Sequence, residues 1–400
     1  MLLSPDFGQG GAEKSMASLS QLISDFSEVH FVVFNSSIKQ AYPVEGSIHS
    51  LNVPAGESIL MKMFYFFLRV VRTRKLKKRL KIEICISFLE GADYVNILSR
   101  VRDKTIISVR GSKTGDEEIK GMIGILRKHF LIPILYRMAD QIVSVSKGIG
   151  EELTKVFYLD SSKIKVIYNY YDVDKLQTLG SAVADNQTMK LFSKPTIVAT
   201  GRLHPQKNFE GLLHVISELK TAGVDCRLII LGSGQLKEQL LSVCVNLKLS
   251  SFEGDEPSST TDVVFLGYKQ NPFAFLKFAS VFVLSSSWEG FPNALAEAMS
   301  LGLPVVSTDC PHGPREILEN ECYDGRRKSL KWNSYGALVP MLKTPDDYAQ
   351  CAEAIRTIIG NADLANIMGS MSSTRMRDFS YEKAYKQWRG IIDDIAPLRS

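Results

Sequence analysis

The sequence has no uninterrupted apolar run long enough to cross a bilayer, and its first residues lack the pattern of a secretory leader. Its six cysteines, Cys85, Cys226, Cys244, Cys310, Cys322 and Cys351, form no C-x-x-C pair and have no histidine at ligand spacing. A disulfide scaffold and a zinc module are therefore not expected, and the thiols read as those of a reduced, cytoplasmic protein. Excess charge is also scarce: 48 Lys and Arg stand against 43 Asp and Glu, so nucleic acid is not an expected partner. What remains is 400 residues with 45% hydrophobic and 23% charged content, enough to bury the cores of two soluble domains.

The positive charge is unevenly placed. Residues 59–81, ILMKMFYFFLRVVRTRKLKKRLK, join an apolar block to a basic one. The stretch fits a helix lying on an anionic membrane surface, and equally a core helix with a solvated basic end.

Along the chain, short β-branched apolar runs alternate with helical stretches. In the second half the runs are PTIVAT (195–200), CRLIILG (226–232), DVVFLG (262–267), SVFVLSS (280–286) and PVVSTD (304–309). Helices are expected between them over 208–222, 234–247, 272–279 and 292–302. The first half repeats the pattern in VHFVVFN (29–35), IEICISF (82–88), KTIISV (104–109), QIVSVS (141–146) and KIKVIYN (163–169). Continuous apolar strands alternating with helices predict α/β architecture: two doubly wound domains with parallel sheets, joined in the polar stretch 174–194. Only MLLSP precedes the first glycines, so either the first strand is short or the start is assigned late. The tract SSFEGDEPSSTTD (250–262) reads as a surface loop.

Ligands of open parallel sheets sit at the carboxyl ends of strands, where the strand order reverses. Residues suited to chemistry gather at such ends. After SVFVLSS come Glu289, Gly290, Phe291 and Pro292, and the proline predicts a helix starting there. The free amides of that helix start, Asn293 and Ala294 among them, suit an anion such as phosphate, and Gly290 permits close approach. Glu297 follows in the helix. Two acids flanking an anion would suit the hydroxyls of two sugar rings, although E-x7-E alone also fits a helix cap followed by a solvated acid. Upstream, ATGRLHPQKNFEG (199–211) places Gly201, Arg202 and Lys207 at another strand end, where two cations can neutralise a leaving diphosphate. LGSGQL (231–236) and LGYKQNPFAFL (266–276) supply two further strand-end turns. At the N-terminus, SPDFGQGGAEKSM offers Gly8, Gly10 and Gly11, but Glu13 stands where a dinucleotide fingerprint needs its third glycine.

Taken together, GQGGAEK, ISFLEGADY, VSVSKGIGEEL, VIYNYYD, GRLHPQKN, LGSG, FLGYKQNP, SSSWEGFPNALAEAM and GLPVVSTDCPHGPREIL resemble glycosyltransferase family 4. The resemblance implies two facing Rossmann-like doubly wound domains, the GT-B architecture. Residues 1–175 would bind the acceptor, 176–378 the nucleotide sugar, and a helix in 379–400 would cross back to the first domain. It implies a retaining transferase that moves a hexose or N-acetylhexosamine from a nucleotide-diphosphate sugar, of the UDP type, to a saccharide or lipid-linked saccharide in bacterial glycan synthesis. The enzyme would work in the cytoplasm, at the inner face of the plasma membrane if 59–81 touches lipid, and without a cofactor or metal. Glu289 would hold donor-sugar hydroxyls and Glu297 the ribose. Arg202 and Lys207 would bind the diphosphate beside the Gly201 turn, assisted by the backbone from Gly290 through Phe291, Pro292 and Asn293 to Ala294. Tyr268, Lys269 and Asn271 would contact the base, Gly10 and Gly11 would close over the phosphates, and the acceptor would enter near Glu90 and Asn96. Many members carry a histidine where this chain has Arg110, which would replace it as a donor-sugar contact.

Other readings have their own signatures. Asp172-Val173-Asp174 is a D-x-D, the metal and diphosphate motif of the GT-A architecture. A sugar-nucleotide epimerase of the same fold would need an acid and a base on opposite faces of the sugar. A phosphorylase would need a pyridoxal lysine, and an inactive binding homologue would tolerate the change at Arg110.

Overall fold

The computed structural model describes residues 1–8, 10–35, 42–115, 121–181 and 186–395. Gln9 of the first glycine loop, part of the expected join and the last residues of the closing segment lie outside them. The chain forms two compact units: Met1–Asn169 with the C-terminal segment from Tyr381, and Tyr170–Ser380. The chain first passes between units at Asn169–Tyr170, ahead of the polar stretch expected to hold the join. That stretch belongs to unit 2 and carries the helices Val173–Gly180 and Asn186–Leu191.

Unit 1 is built on a parallel sheet of β1 (Leu2–Ser4), β2 (His30–Val33), β3 (Ser47–Ser50), β4 (Ile84–Phe88), β5 (Lys104–Val109), β6 (Gln141–Ser144) and β7 (Ile164–Val166). The strand order is β3-β2-β1-β4-β5-β6-β7, so the order reverses between β1 and β4. The first strand is indeed short. Its three residues are all buried, and they pair with β2 on one side and β4 on the other. With this strand order, the right-handed rule for parallel crossovers puts α1 (Gly11–Ser24) on one face and α2 (Ile59–Arg79) and α3 (Glu90–Leu98) on the other. Packing agrees, since α3 lies against α2, and the C-terminal helix Tyr381–Ile395 lies against α1. There the Phe26 and Tyr385 rings meet edge to face at 5.4 Å, and Tyr381 donates to Asp25 at 2.8 Å.

Unit 2 holds β8 (Thr196–Thr200), β9 (Arg227–Leu231), β10 (Ser251–Glu253), β11 (Val263–Gly267), β12 (Val281–Leu284), β13 (Val305–Thr308), β14 (Lys331–Trp332) and β15 (Gly336–Val339). Their order is β10-β11-β9-β8-β12-β13-β15-β14, parallel except for the β14–β15 pair. Reversal falls between β8 and β12. The tract 250–262 is not loop throughout, because its Ser251–Glu253 pairs with β11 as an exposed edge strand. Arg227 on β9 enters this core fully buried, and its Nη1 donates to the Leu191 carbonyl at 2.8 Å and its Nη2 to that of Ser258 at 2.9 Å.

Candidate functional site

In unit 2, the two strands that flank the reversal deliver the Lys207 and Glu289 clusters to one edge. The chain leaves β8 through Gly201 and Arg202, makes a single 3-10 turn over Pro205–Lys207, and enters the helix Phe209–Thr221 through Asn208. Asn208 is left-handed at φ 46°, and its side chain caps the helix by accepting from the Gly211 amide at 3.2 Å. Gly201 leaves room for the Lys207 stem, because a Cβ there would lie 3.1 Å from Lys207 Cε. The glycine turn after β9 packs directly on it: at Gly232 (φ +141°) a Cβ would come within 1.9 Å of the Gly201 carbonyl oxygen.

The segment after β12 is sewn to this turn. Ser285 Oγ donates to the Lys207 carbonyl at 2.7 Å, the Ser287 amide to the Gln206 carbonyl at 2.8 Å, and Gln206 Nε2 to the Trp288 carbonyl at 2.9 Å. Lys207 Nζ then meets Glu289 Oε1 at 2.5 Å, and Ser286 Oγ donates to the same oxygen at 2.7 Å. Both members of the ion pair are largely shielded, with side-chain exposures of 17% and 8%. The loop after β13 closes the third side, as the Glu289 amide donates to the Pro311 carbonyl at 3.1 Å. Gly313, at φ +91°, lies so close to this chain that a Cβ would sit 2.4 Å from Pro292 Cδ.

That β13 loop is braced from below. Asp309 is fully buried and accepts from Arg315 Nε at 3.0 Å and Arg327 Nε at 3.2 Å. Next to it, burial drives the Cys310 thiol well above its ordinary pKa, and the Glu289 carboxylate adds to the effect. Cys310 is thus a neutral thiol at physiological pH.

The helix after Gly290 begins at Asn293, with Pro292 as its N-cap rather than its first residue. Phe291 is buried, in an aromatic group with Tyr171 at 6.5 Å and Phe379 at 5.3 Å. Tyr171 OH donates to Asn293 Oδ1 at 2.5 Å, so the Asn293 side chain is held while Ala294 stays partly exposed. Glu297 is buried on this helix at 8% exposure, not solvated. Arg202 is exposed at the mouth of the turn and forms no ion pair among the described residues.

The residues after β11 take other partners. Tyr268 is half exposed, and Lys269 pairs with Asp255 at 2.8 Å. Asn271 uses its amide nitrogen on the Leu179 carbonyl at 3.0 Å and its oxygen on the Phe273 amide at 3.2 Å. That second bond ties its side chain to the first residue of the short helix Phe273–Leu276, whose N-cap is Pro272. The D-x-D is also occupied: Asp172 caps the helix Val173–Gly180 through the Lys175 amide at 2.9 Å, and Asp174 pairs with Arg377 at 3.1 Å.

In unit 1, Gly10 is the N-cap of α1 and Gly11 its first residue. The Ser15 hydroxyl reaches Asn169 Oδ1 at 3.1 Å, and Arg110 Nη2 donates to the same oxygen while its guanidinium lies 5.4 Å over the Phe88 ring. Arg110 therefore links the ends of β5 and β7 to the start of α1. Glu90 opens α3 behind Leu89, whose positive φ of 71° marks a strained strand-to-helix corner. It accepts from Arg127 at 2.5 Å and Tyr94 at 2.6 Å, with Lys113 at 3.4 Å. Burial works to raise the Glu90 pKa, but the Arg127 hydrogen bond, the Lys113 charge and Tyr94 hold it below the ordinary value. Behind it, burial pushes Asp93 up to about 7 against Lys113 and the hydroxyls of Ser87 and Tyr136. Asn96, expected near the acceptor, is fully buried and bonded to Cys85, Ser87, Ile106 and Lys77. It is a scaffold residue and is withdrawn from the site.

Sequence reasoning missed Ser286, Gln206, Gly313 and Tyr171. All four lie in stretches that carried the resemblance, but a hydroxyl donating to Glu289 or a close approach to Pro292 has no signature in spacing alone.

Comparison with known proteins gives this geometry a family. A model described as Glycosyltransferase Family 4 matches residues 9–175, and one described as Glycosyl transferases group 1 matches residues 194–361. The chain belongs to these glycosyltransferases. It is 28% identical over 379 residues to the N-acetylgalactosamine-N,N'-diacetylbacillosaminyl-diphospho-undecaprenol 4-alpha-N-acetylgalactosaminyltransferase of Campylobacter jejuni, covering 94% of each chain. It is 25% identical to the amylovoran biosynthesis glycosyltransferase AmsD of Erwinia amylovora, over 86% of this chain and 90% of that one. Among solved structures, Anabaena HepE in complex with UDP-glucose superposes with a TM-score of 0.72 at 16% identity, covering 98% of both chains. Sucrose-phosphate synthase from Thermosynechococcus elongatus gives 0.75 at 15%, also covering 98% of both. The fold is GT-B, with two Rossmann-like domains.

Proposed function

We propose that the protein transfers a hexose or N-acetylhexosamine from a UDP-sugar to a saccharide or lipid-linked saccharide, with retention at the anomeric carbon and without a metal. The observation that carries the reading is the shielded Lys207–Glu289 pair at the strand reversal, held by three strand-end loops. A cation and a carboxylate fixed side by side suit a donor whose diphosphate and sugar are adjacent. In this reading Lys207 and Arg202 take the diphosphate, with the amides of Phe291 to Ala294. Glu289 turns to the sugar hydroxyls and Glu297 to the ribose. The acceptor hydroxyl attacks the anomeric carbon from the face of the departing group. The bond to the diphosphate oxygen breaks, and that oxygen takes the acceptor's proton. No protein base is needed, so Arg110 in place of a histidine is compatible with turnover.

Two relatives support the finer assignments. HepE was crystallised with UDP-glucose, and the C. jejuni enzyme acts on a diphospho-undecaprenol-linked sugar, so a UDP donor and a lipid-linked acceptor are proposed here. No described helix is long and apolar enough to cross a membrane. We assign membrane contact to α2, whose first turns are exposed and apolar and whose last turn carries Lys78 and Arg79, lying at the cytoplasmic surface.

The test is a panel of UDP-, GDP- and ADP-sugars with saccharide and polyprenyl-diphosphate acceptors, with and without EDTA, for wild type and Glu289→Ala. One nucleotide sugar should be turned over to an α-linked product, unchanged by EDTA and lost in the variant. Loss on adding EDTA, or release of only an epimerised nucleotide sugar, would overturn the reading.

A further inference from the structure

Unit 1 exposes large apolar side chains in two segments. In α2 the first turns are exposed throughout, with Ile59 at 69%, Leu60 at 79% and Phe64 at 63%, before Tyr65, Phe66 and Leu68 turn to the core. The second segment is the run of helical turns from Gly121 to Arg137, to which the sequence reading gave no role. It holds Met122 at 86%, Ile125 at 60% and Phe130 at 54% in solvent, while Arg127, Ile132 and Tyr136 face inward. Exposed apolar surface of this kind marks an interaction site.

Two further facts identify the partner. Neither segment has an acidic residue: of nine Lys and Arg from Ile59 to Ile82 only Lys77 is buried, paired with Asp103, and from Gly121 to Ala139 Lys128 and Arg137 remain for the surface besides His129, Arg127 being buried against Glu90. Both also lie on one layer, since α3 packs against α2 and against the helix Ile132–Arg137. Arg127 to Glu90 and Tyr136 to Asp93 (2.8 Å) fasten the second segment to α3. Apolar side chains amid charge of one sign suit an anionic lipid surface, where the apolar groups enter the acyl boundary and the cations stay at the headgroups. Two copies of the same positive surface would repel.

We propose that α2 and the segment 121–138 form a two-strip docking surface that seats unit 1 on an anionic bilayer. This extends the single-helix contact of the proposed function, and its test does not depend on transfer. The full chain is floated with vesicles of phosphatidylcholine alone and of phosphatidylcholine mixed with phosphatidylglycerol, at low and high salt. Wild type should float with the anionic vesicles only, and less at high salt. Met122→Glu/Phe130→Glu should weaken flotation at least about tenfold, as should Leu60→Glu/Phe64→Glu. Lys75→Ala and Lys78→Ala should each weaken it about fivefold. Met122→Gln/Phe130→Gln provides a second variant, without new charge, should the glutamates disturb the helix. Three results would overturn the proposal: wild type that does not float, second-strip variants that float as wild type, or a wild-type dimer that these variants dissolve. Failure of the enzymatic reading would instead show as absent transfer with flotation intact.

Discussion

The Lys207–Glu289 pair allows a stability prediction that separates it from an ordinary surface contact. Replacing Lys207 with methionine leaves a carboxylate that is 7% exposed, with the Ser286 hydroxyl still donating to it. Breaking a buried pair from one side costs about 3–5 kcal/mol, and the partial exposure of the lysine reduces this to about 2–4 kcal/mol. Glu289→Gln keeps an acceptor for both donors and leaves a lysine that water can reach, so about 1 kcal/mol is expected. The double variant removes both charges and should recover about 2 kcal/mol relative to the sum of the singles. Urea denaturation followed by tryptophan fluorescence reads this out. In a Trp388→Phe background the signal comes from Trp288 and Trp332, both in unit 2, because Trp388 lies on the C-terminal helix of unit 1. Both single variants should also lose at least about 100-fold in transfer rate. A Lys207→Met loss below about 1 kcal/mol that adds simply to that of Glu289→Gln would refute a shielded, coupled pair.

Three further outcomes follow from particular contacts. Asp93 titrates at about 7 when folded against 3.8 for the free group, so the folded state binds the extra proton between those values. Its contribution is therefore full below the unfolded pKa and falls as pH rises towards 7. Asp93→Asn should gain on wild type across that window by at most about 4 kcal/mol, and a pH-independent difference in urea midpoints would refute it. Gly313→Ala combines a left-handed φ of +91° with a 2.4 Å approach to Pro292 and should cost about 2–3 kcal/mol and most of the activity. Gly302→Ala, whose Cβ would meet only the Gly369 carbonyl at 3.6 Å, should cost about 1 kcal/mol, and equal losses would show that the clash is relieved. Asp174→Asn should leave transfer unchanged, because that carboxylate serves an exposed ion pair with Arg377; an EDTA-sensitive enzyme that this variant inactivates would restore the D-x-D as a metal site.

Much of the fold was legible because buried parallel strands need continuous apolar runs, and such runs stand out between polar turns. All ten expected runs contain strands. The missed ones failed that criterion: Ser47–Ser50 and Ser251–Glu253 are polar edge strands, Lys331–Trp332 is two residues long, and Gly336–Val339 begins with glycine and has one β-branched residue. For the site, Lys207 and Glu289 were placed at strand ends, but their direct contact was not readable, since it depends on how two loops fold together. Side chains expected near a ligand also make contacts within the protein: Asn271 at a helix start, Lys269 in a pair with Asp255, and Asn96 in the core. An amide or a lysine at a strand end looks the same in sequence whether it faces a ligand or a neighbouring carbonyl.

The helix Tyr381–Ile395 completes unit 1 although the chain builds all of unit 2 in between. On the ribosome, unit 2 has every residue it needs once Ser380 has emerged, whereas unit 1 must wait for Ala384, Trp388 and Ile391 to arrive. Until then the outer side of α1, with Phe26 beside it, faces solvent. The first half of the polypeptide is therefore the last to be finished, and a ribosome stalled short of the final helix would present a closed second domain behind an open first one.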